Sequence, residues 1–500
     1  MKKLHKGVTT LTAAFMCCLI PLLVHDGYHD ISTVKVKALI LGMPCLAALF
    51  FLSCVLNREW PGRRLQEQKQ PLLFLAFSVL SWCCCAALHG FSDAVMQGAG
   101  RSAGLIFLLC CGSGCFCIAT GDLHEQLFER LLLLSGAGIA ALGILSAMGI
   151  DPLGMYEGID RSFRLAFLST IGNSNFYGCA LLFSFSQGAS MWVSGAGRSQ
   201  RVLGLSCVLI IGAGICCSLA DTAILGLLLS GPVLLYLNWG KSAAMQRAVI
   251  LTGVCLLLLP GMQQLLLDFS PLYIEFPGLY AFVASGEVLL PGVLLLSGGY
   301  CLIRKCASAG TLPPRPGLLE RMLCLALAAL LIIAAGLLRR LNLMGIERAP
   351  EEPLEFNLMA LGGGRGYIYR ACLRAYRHFP LPEKLLGCGL DSLEPAVEPY
   401  LSDRGRRFFP EGSILNDAHC QPLHFLLTGG LAGFAAWTGF YLSCLMAMGA
   451  KRKRSPFSDG VYLGLLLFLP CFLLNVAQPV LLILYMGMAG AGLSCLASER

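Results

Sequence analysis

The chain has 500 residues, of which 56% are apolar and only 13% charged. A soluble globular chain carries roughly 25% charged residues, so a soluble enzyme, a disordered chain and a small secreted disulfide scaffold are all excluded. What remains is an all-α polytopic integral membrane protein. The net charge of +8 then reports orientation, because Lys and Arg collect in cytoplasmic loops, and gives no argument for nucleic acid. The 25 cysteines sit mostly inside apolar runs, as at Cys83-Cys84-Cys85, Cys110-Cys111 and Cys216-Cys217, where Cys acts as a small hydrophobe. Neither zinc ligation nor a disulfide framework is expected.

A bilayer core of ~30 Å needs ~20 apolar residues per helix. Fourteen such runs lie near 8–24, 37–55, 71–88, 102–119, 131–150, 170–193, 202–219, 222–238, 247–267, 278–303, 319–338, 422–448, 459–476 and 479–497. The first follows Lys2, Lys3 and Lys6 without a small-residue cleavage site and reads as a retained span. With both termini cytoplasmic, the loops after even-numbered spans should be basic. They carry Arg58, Arg63, Arg64 and Lys69, then Arg198 and Arg201, then Lys241 and Arg247, then Arg304, Lys305 and Arg315, then Lys451 to Arg454. The segment 120–130 is mixed in sign.

The chain therefore divides into a bundle of about eleven spans (1–338), a long loop (339–421) and about three further spans (422–500). The loop holds 11 basic and 11 acidic residues, a third of all the charge, and falls outside the cytoplasm. Polar connections of this length are usually functional. Gly362 to Gly366 reads as a flexible approach, and Tyr367 to Phe379 as a short amphipathic helix ended by Pro380 and Pro382. Arg370, Arg374 and Arg377 share one face of that helix. Leu386 to Asp391 reads as a turn.

Several residues could carry chemistry. His419 stands at the outer boundary before Thr428-Gly429-Gly430-Leu431-Ala432-Gly433, where imidazole suits a general base; the alternative is a histidine that caps the next helix. Arg365, Arg370 and Arg374 offer forks that match diphosphate oxygens, against a solvated stripe. Arg161 and Arg164, with Asn173 and Asn175, gather at the outer end of span six and line either a polar cavity or a helix cap. Glu287 reads as an intramembrane carboxyl, the feature a transporter would need. Asp221 lies in the turn between spans seven and eight. His25 to Asp30 has two histidines at i and i+4 but lacks a further ligand, and no D-x-D pair appears, which tilts toward metal-free chemistry.

In architecture over most of the chain, and in three local motifs, the sequence resembles the O-antigen ligase and O-antigen polymerase superfamily. Arg164 leads to Gly172-Asn173-Ser174-Asn175, similar to a G-N-P-N element. Gly363-Gly364-Arg365-Gly366-Tyr367-Ile368-Tyr369 resembles G-x-R-x-x-[IY]-[WY], with Pro380 and Gly387-Cys388-Gly389-Leu390-Asp391 beyond it. Asn416-Asp417-Ala418-His419-Cys420-Gln421-Pro422-Leu423 with Gly430-Leu431-Ala432-Gly433 resembles D-[KR]-[AP]-H-N-x-x-L followed by G-[LI]-x-G. Asn416, Asp417 and Cys420 depart from that pattern. Leu219-Ala220-Asp221-Thr222-Ala223 stands where the family often has S-R-[GS]-A, so an arginine is missing there. Either Arg161 and Arg164 take over, or the substrate differs.

The resemblance implies a metal-independent, cofactor-free, inverting glycosyl transfer on the outer face of the cell membrane. The donor would be a glycan on a polyprenyl diphosphate such as undecaprenyl diphosphate. The acceptor would be a sugar hydroxyl on another lipid-linked glycan. His419 would take the acceptor's proton, and Arg365 with Arg161 or Arg164 would stabilise the leaving diphosphate. The rivals are a fourteen-span transporter or flippase using Glu287, and a membrane anchor with the loop as docking surface.

Overall fold

The structure is a computed structural model that describes residues 2–57, 62–272, 274–310, 354–407, 415–450, 455–475 and 479–497. Inside a bilayer the backbone must satisfy its own hydrogen bonds, which leaves helices as the outcome for long apolar runs. The first part of the bundle comprises α1 (Lys2–Ala14), α2 (Ile31–Asn57), α3 (Gly62–Glu67), α4 (Lys69–Leu88), α5 (Leu105–Thr120), α6 (Glu125–Ala147), α7 (Ser174–Ser194), α8 (Arg198–Cys217), α9 (Asp221–Leu237), α10 (Ser242–Phe269), α11 (Gly278–Ala284) and α12 (Gly286–Ser308). After the expected run at 319–338, which lies outside the described residues, come α13 (Leu354–His378), α14 (Leu381–Leu386), α15 (Leu393–Val397) and α16 (Asp403–Arg406). The chain closes with α17 (Gln421–Thr428), α18 (Gly430–Gly449), α19 (Pro456–Leu467), α20 (Leu469–Leu474) and α21 (Pro479–Ala497). Among the described residues ten helical segments are long and apolar enough to cross a membrane, and α5 and α9 are shorter apolar helices. The protein is an all-α, multi-pass membrane protein. A two-residue hairpin, Phe167–Leu168 against Gly172–Asn173, is the strand pairing among the described residues; the sequence reading did not anticipate it.

Two helices form the axis of the bundle. Every residue of α7 from Phe176 to Met191 is buried, and α21 is buried from Val480 to Cys495. Helix α7 has spanning length but is diluted by Ser184, Ser186, Gln187 and Ser190. It touches protein on every side, so it needs no apolar surface for lipid. Beside α21, Trp82, Phe425, Trp437, Phe440, Tyr441, Phe472 and Tyr485 form one aromatic cluster.

Contacts sort the loops to two ends. At one end Asp122 pairs with Lys6 (4.0 Å) and Arg64 (3.6 Å). There too Gln68 reaches the carbonyls of Ala119 and Leu493, Arg247 that of Val193, and Ser190 that of Pro456. Within the mixed-charge segment 120–130, Asp122 thus pairs with cations of α1 and α3. At the other end Tyr28 bonds Ser169, His29 bonds Glu157, Arg161 bonds Pro271 and Gln421 bonds Asn475. At this second end the Lys35 ammonium, 1% exposed, donates to the carbonyls of Leu23 (2.7 Å), Thr170 (2.8 Å) and Ile31 (3.3 Å). Lys35→Met keeps the packed stem but strands the carbonyls of Leu23 and Thr170, while that of Ile31 keeps its helical N–H. It is expected to cost about 3 kcal/mol or more, read as a lower thermal unfolding midpoint in detergent; an unchanged midpoint refutes it.

Three expectations need correction. Cys179 and Cys471 form a disulfide across 292 residues, a pairing no local spacing signals. The glycine run at 362–366 is not a loose approach, because α13 runs through it; Gly364 at φ +82° absorbs a left-handed turn there. Glu287 is not at mid-span: the helix breaks at Ser285, and Glu287 lies exposed in the first turn of α12.

Candidate active site

The layer between α13 and α17 has its own core. Tyr367, Ile368, Ala371, Cys372, Ala375 and Phe379 pack on Leu393, Val397, Leu401, Leu415, Ala418 and Leu427. Apolar residues at helical spacing commit that face of α13 inward. Arg370, Arg374 and Arg377 are consequently exposed on the other face. Arg365 and Tyr369, one turn apart, face the segment that carries His419: the Tyr369 hydroxyl donates to the His419 carbonyl at 3.1 Å.

After α14 the chain turns sharply. Gly387 (φ +94°) and Gly389 (φ +114°) adopt backbone that favours glycine, and Asp391 (φ +54°) follows in the left-handed region. The turn delivers one carboxylate oxygen of Asp391 to three backbone N–H groups: Arg101 at 2.6 Å, and Gly100 and Ala103 at 3.1 Å each. A Cβ on Gly98 or Gly100 would press on Asp391 itself. Such convergence of amides on an anion is a strong local clamp. It fixes the loop before α5 and with it Arg101.

Arg101 reaches Asn416 Oδ1 through Nε (3.2 Å) and Nη2 (3.0 Å) and forms an ion pair with Asp417. Its guanidinium carbon lies 5.9 Å from the Phe176 ring at the start of α7, within cation–π range. Its buried Nη1 has no acceptor among the described residues. Asp417, 3% exposed, bridges to His419: Oδ1 accepts the His419 backbone N–H at 2.8 Å and lies 3.5 Å from Nδ1. Burial would raise the Asp417 carboxyl, but the Arg101 charge, His419 and that N–H hold it below the usual carboxylate range.

His419 has φ +48°, a left-handed conformation uncommon outside glycine. Its side chain is 35% exposed. Burial lowers its pKa; Asp417 opposes, and the charges of Arg365 and Arg101 lower it further. The balance favours the neutral imidazole, and among the described residues no hydrogen bond engages Nε2. Arg365 completes the group. Its Nη2 donates to Asn475 Oδ1 at 3.0 Å, and buried Asn475 donates to Thr222 Oγ1 at 3.4 Å. Asn475 follows Cys471 by one helical turn and bonds its carbonyl, so the disulfide to α7 anchors this strut.

The remaining sequence-derived residues lie apart. Arg161 is exposed and donates to the Pro271 carbonyl at 2.9 Å. Arg164 stacks 5.3 Å over the Tyr156 ring, and its Nε is buried without an acceptor among the described residues. Asn173 caps α7, accepting the Asn175 N–H at 3.0 Å; Asn175 is half-buried beside it. Asp221 opens α9 next to Thr222. His25 sits against Asp30 at 3.1 Å. Among the described residues no three His, Cys, Asp or Glu side chains converge to hold a metal.

Sequence reasoning missed Arg101, Asn475 and the clamping role of Asp391. Arg101 did carry a signal: it is an arginine among Gly98, Gly100 and Gly104 in a loop where the charge rule expects none. Asn475, polar at the end of an apolar run, carried a weaker one. Comparison of the chain with protein-family models and with curated protein sequences returns no match.

Proposed function

We propose that this chain is a membrane-embedded glycosyltransferase of the polysaccharide polymerase or ligase type, with fourteen spans and both termini cytoplasmic. The donor is a glycan on a polyprenyl diphosphate and the acceptor a sugar hydroxyl on a second glycan. The observation that carries this reading is the alignment Arg101–Asp417–His419, with Arg365 alongside.

The chemistry follows from those groups. His419 Nε2 accepts the proton of the acceptor hydroxyl as its oxygen attacks the anomeric carbon. Asp417, touching Nδ1, stabilises the imidazolium that forms. The bond to the diphosphate oxygen breaks on the opposite ring face, which inverts the anomeric centre. Arg101 and Arg365 stabilise the negative charge that grows on the diphosphate, with Arg101 supplying the cation that the chain lacks near Asp221. Two observations support an outward-facing site. The opposite end holds Lys6, Arg64, Arg201 and Arg247, as the charge rule asks of a cytoplasmic face. The Cys179–Cys471 disulfide lies at the site's end, and disulfides persist in oxidising compartments.

The test is reconstitution in proteoliposomes with a polyprenyl-diphosphate oligosaccharide, with and without a chelator, followed by gel analysis. Longer or transferred glycan in both arms is the expected result, and no product in either refutes it. Because the pKa of His419 is lowered, the rate should be on its plateau at pH 7. Its acidic half-point should fall below pH 6.5, the ordinary histidine value. A half-point above 7 removes His419 as the base.

The alternative is a multi-span transporter or lipid-linked glycan flippase using Glu287, in the first turn of α12. A second carboxyl open to that reading is Glu129 of α6, buried, whose Oε1 lacks a partner among the described residues. Glu129→Gln separates the two readings. Under the transferase reading the variant keeps the parent's glycan transfer in proteoliposomes; under the transport reading neither parent nor variant makes product there, and the variant loses polymer in cells.

A further inference from the structure

At the end that carries the N-terminus, a groove of about 620 Å³ opens between α1 and α6, a volume in the range of small-molecule sites. Lys3, Lys6, Gly7, Thr10, Leu11 and Ala14 line one wall. Residues 3, 7, 10 and 14 repeat at helical spacing, so one face of α1 supplies that wall. The other wall is His124, just before α6, with Leu127 and Leu131 of α6. The groove is therefore amphipathic: Lys3, Lys6 and His124 line it near the start of the two helices, leucine and alanine further along them. Leu11 and Leu127 stay 54% and 46% exposed, available to an acyl chain.

Gly7 supplies an independent observation. Glycine is the residue least suited to a helix interior after proline, and a helical glycine is commonly there to let a neighbour approach. An ideal Cβ built at Gly7 meets nothing within 4 Å. No packed neighbour requires it, and its absent side chain leaves the groove open.

We propose that this groove binds an anionic phospholipid, with its phosphate between Lys3 and Lys6 and an acyl chain along Leu11, Ala14, Leu127 and Leu131. Two carboxylates stand nearby and must be weighed. Glu125 lies in the first turn of α6, and Asp122 is 4.0 Å from Lys6 Nζ. Asp122 is also engaged by Arg64 at 3.6 Å, so its charge is shared and Lys6 retains attraction for a phosphate. A zwitterionic lipid would bring its own cation to the lysines and is disfavoured. This inference does not depend on the chemistry proposed for the opposite end.

The experiment is native mass spectrometry of the full chain in detergent, titrated with dioleoylphosphatidylglycerol or dioleoylphosphatidylcholine. Phosphatidylglycerol should bind more tightly. Lys3→Gln and Lys6→Gln should each weaken it about fivefold, the contribution of one basic residue at a membrane surface, without changing phosphatidylcholine. Gly7→Leu, which fills the groove without collision, should weaken both lipids. A photoactivatable phosphatidylglycerol on the unmodified chain should cross-link within residues 3–14 and 124–131, a readout that needs no variant to fold. Equal binding of the two lipids, an unaffected Gly7→Leu chain, or cross-links elsewhere would overturn the proposal. Displacement of the lipid by an equal concentration of inorganic phosphate would reduce the groove to a headgroup site and overturn the acyl half.

Discussion

His419→Asn is expected to lower the initial rate of glycan transfer in proteoliposomes by about 10²–10⁴-fold, the usual worth of a positioned general base, while the protein unfolds at an unchanged temperature. Asparagine is the informative replacement. It tolerates the left-handed backbone better than other residues, so the φ of +48° at this position is kept and the proton acceptor alone is lost. Alanine would add backbone strain and blur the cause. The Tyr369 hydroxyl holds the backbone carbonyl of residue 419, which the substitution leaves in place. A rate within threefold of the parent would mean that the base lies elsewhere.

Arg101→Met should damage both folding and transfer. It leaves Asp417, 3% exposed, as a buried carboxylate without its cation, at a cost of about 3–5 kcal/mol. It also removes one of the two cations assigned to the leaving diphosphate. Lysine is not an adequate substitute, because Arg101 serves Asn416 and Asp417 through separate N–H groups of a planar fork. The pH dependence has a definite sign. The Asp417 pKa is lowered in the folded chain, so its stabilisation is full above the ordinary carboxylate value and fades as pH falls through the lowered one. The stability gap between parent and variant should therefore be widest near neutrality and close only in strong acid. Combining Arg101→Met with Asp417→Asn removes the stranded charge. The double variant should be more stable than the sum of the single losses requires, whereas strict additivity would deny the ion pair its role.

The parts of this protein legible in its sequence are those governed by local rules. A bilayer obliges each apolar run to be helical, so α2, α4, α6, α8, α10 and α18 fall where hydropathy expects them. His419 and Arg365 stood out as candidates because each sits in a short patterned stretch. Arg101 was not grouped with them, because its partner Asp417 lies 316 positions further on and no local pattern announces such a pair. The same holds for Asn475 beneath Arg365 and for Cys179 with Cys471. The glycine run was misread for a different reason. Glycine disfavours helix in water, but α13 is held by its packed inner face, and that tertiary contact outweighs propensity. Helix α7 reverses the rule for membranes, its serines and Gln187 being housed by other helices rather than by lipid.

The bond between Cys179 and Cys471 also sets an order on biogenesis. The second thiol follows the first by 292 residues, so oxidation must wait until the intervening helices have been made and Cys471 has reached the oxidising side. A product terminated before Cys471 cannot carry the link. Its presence, scored by alkylation and gel mobility, thus reports that α7 and α20 have come together rather than mere insertion.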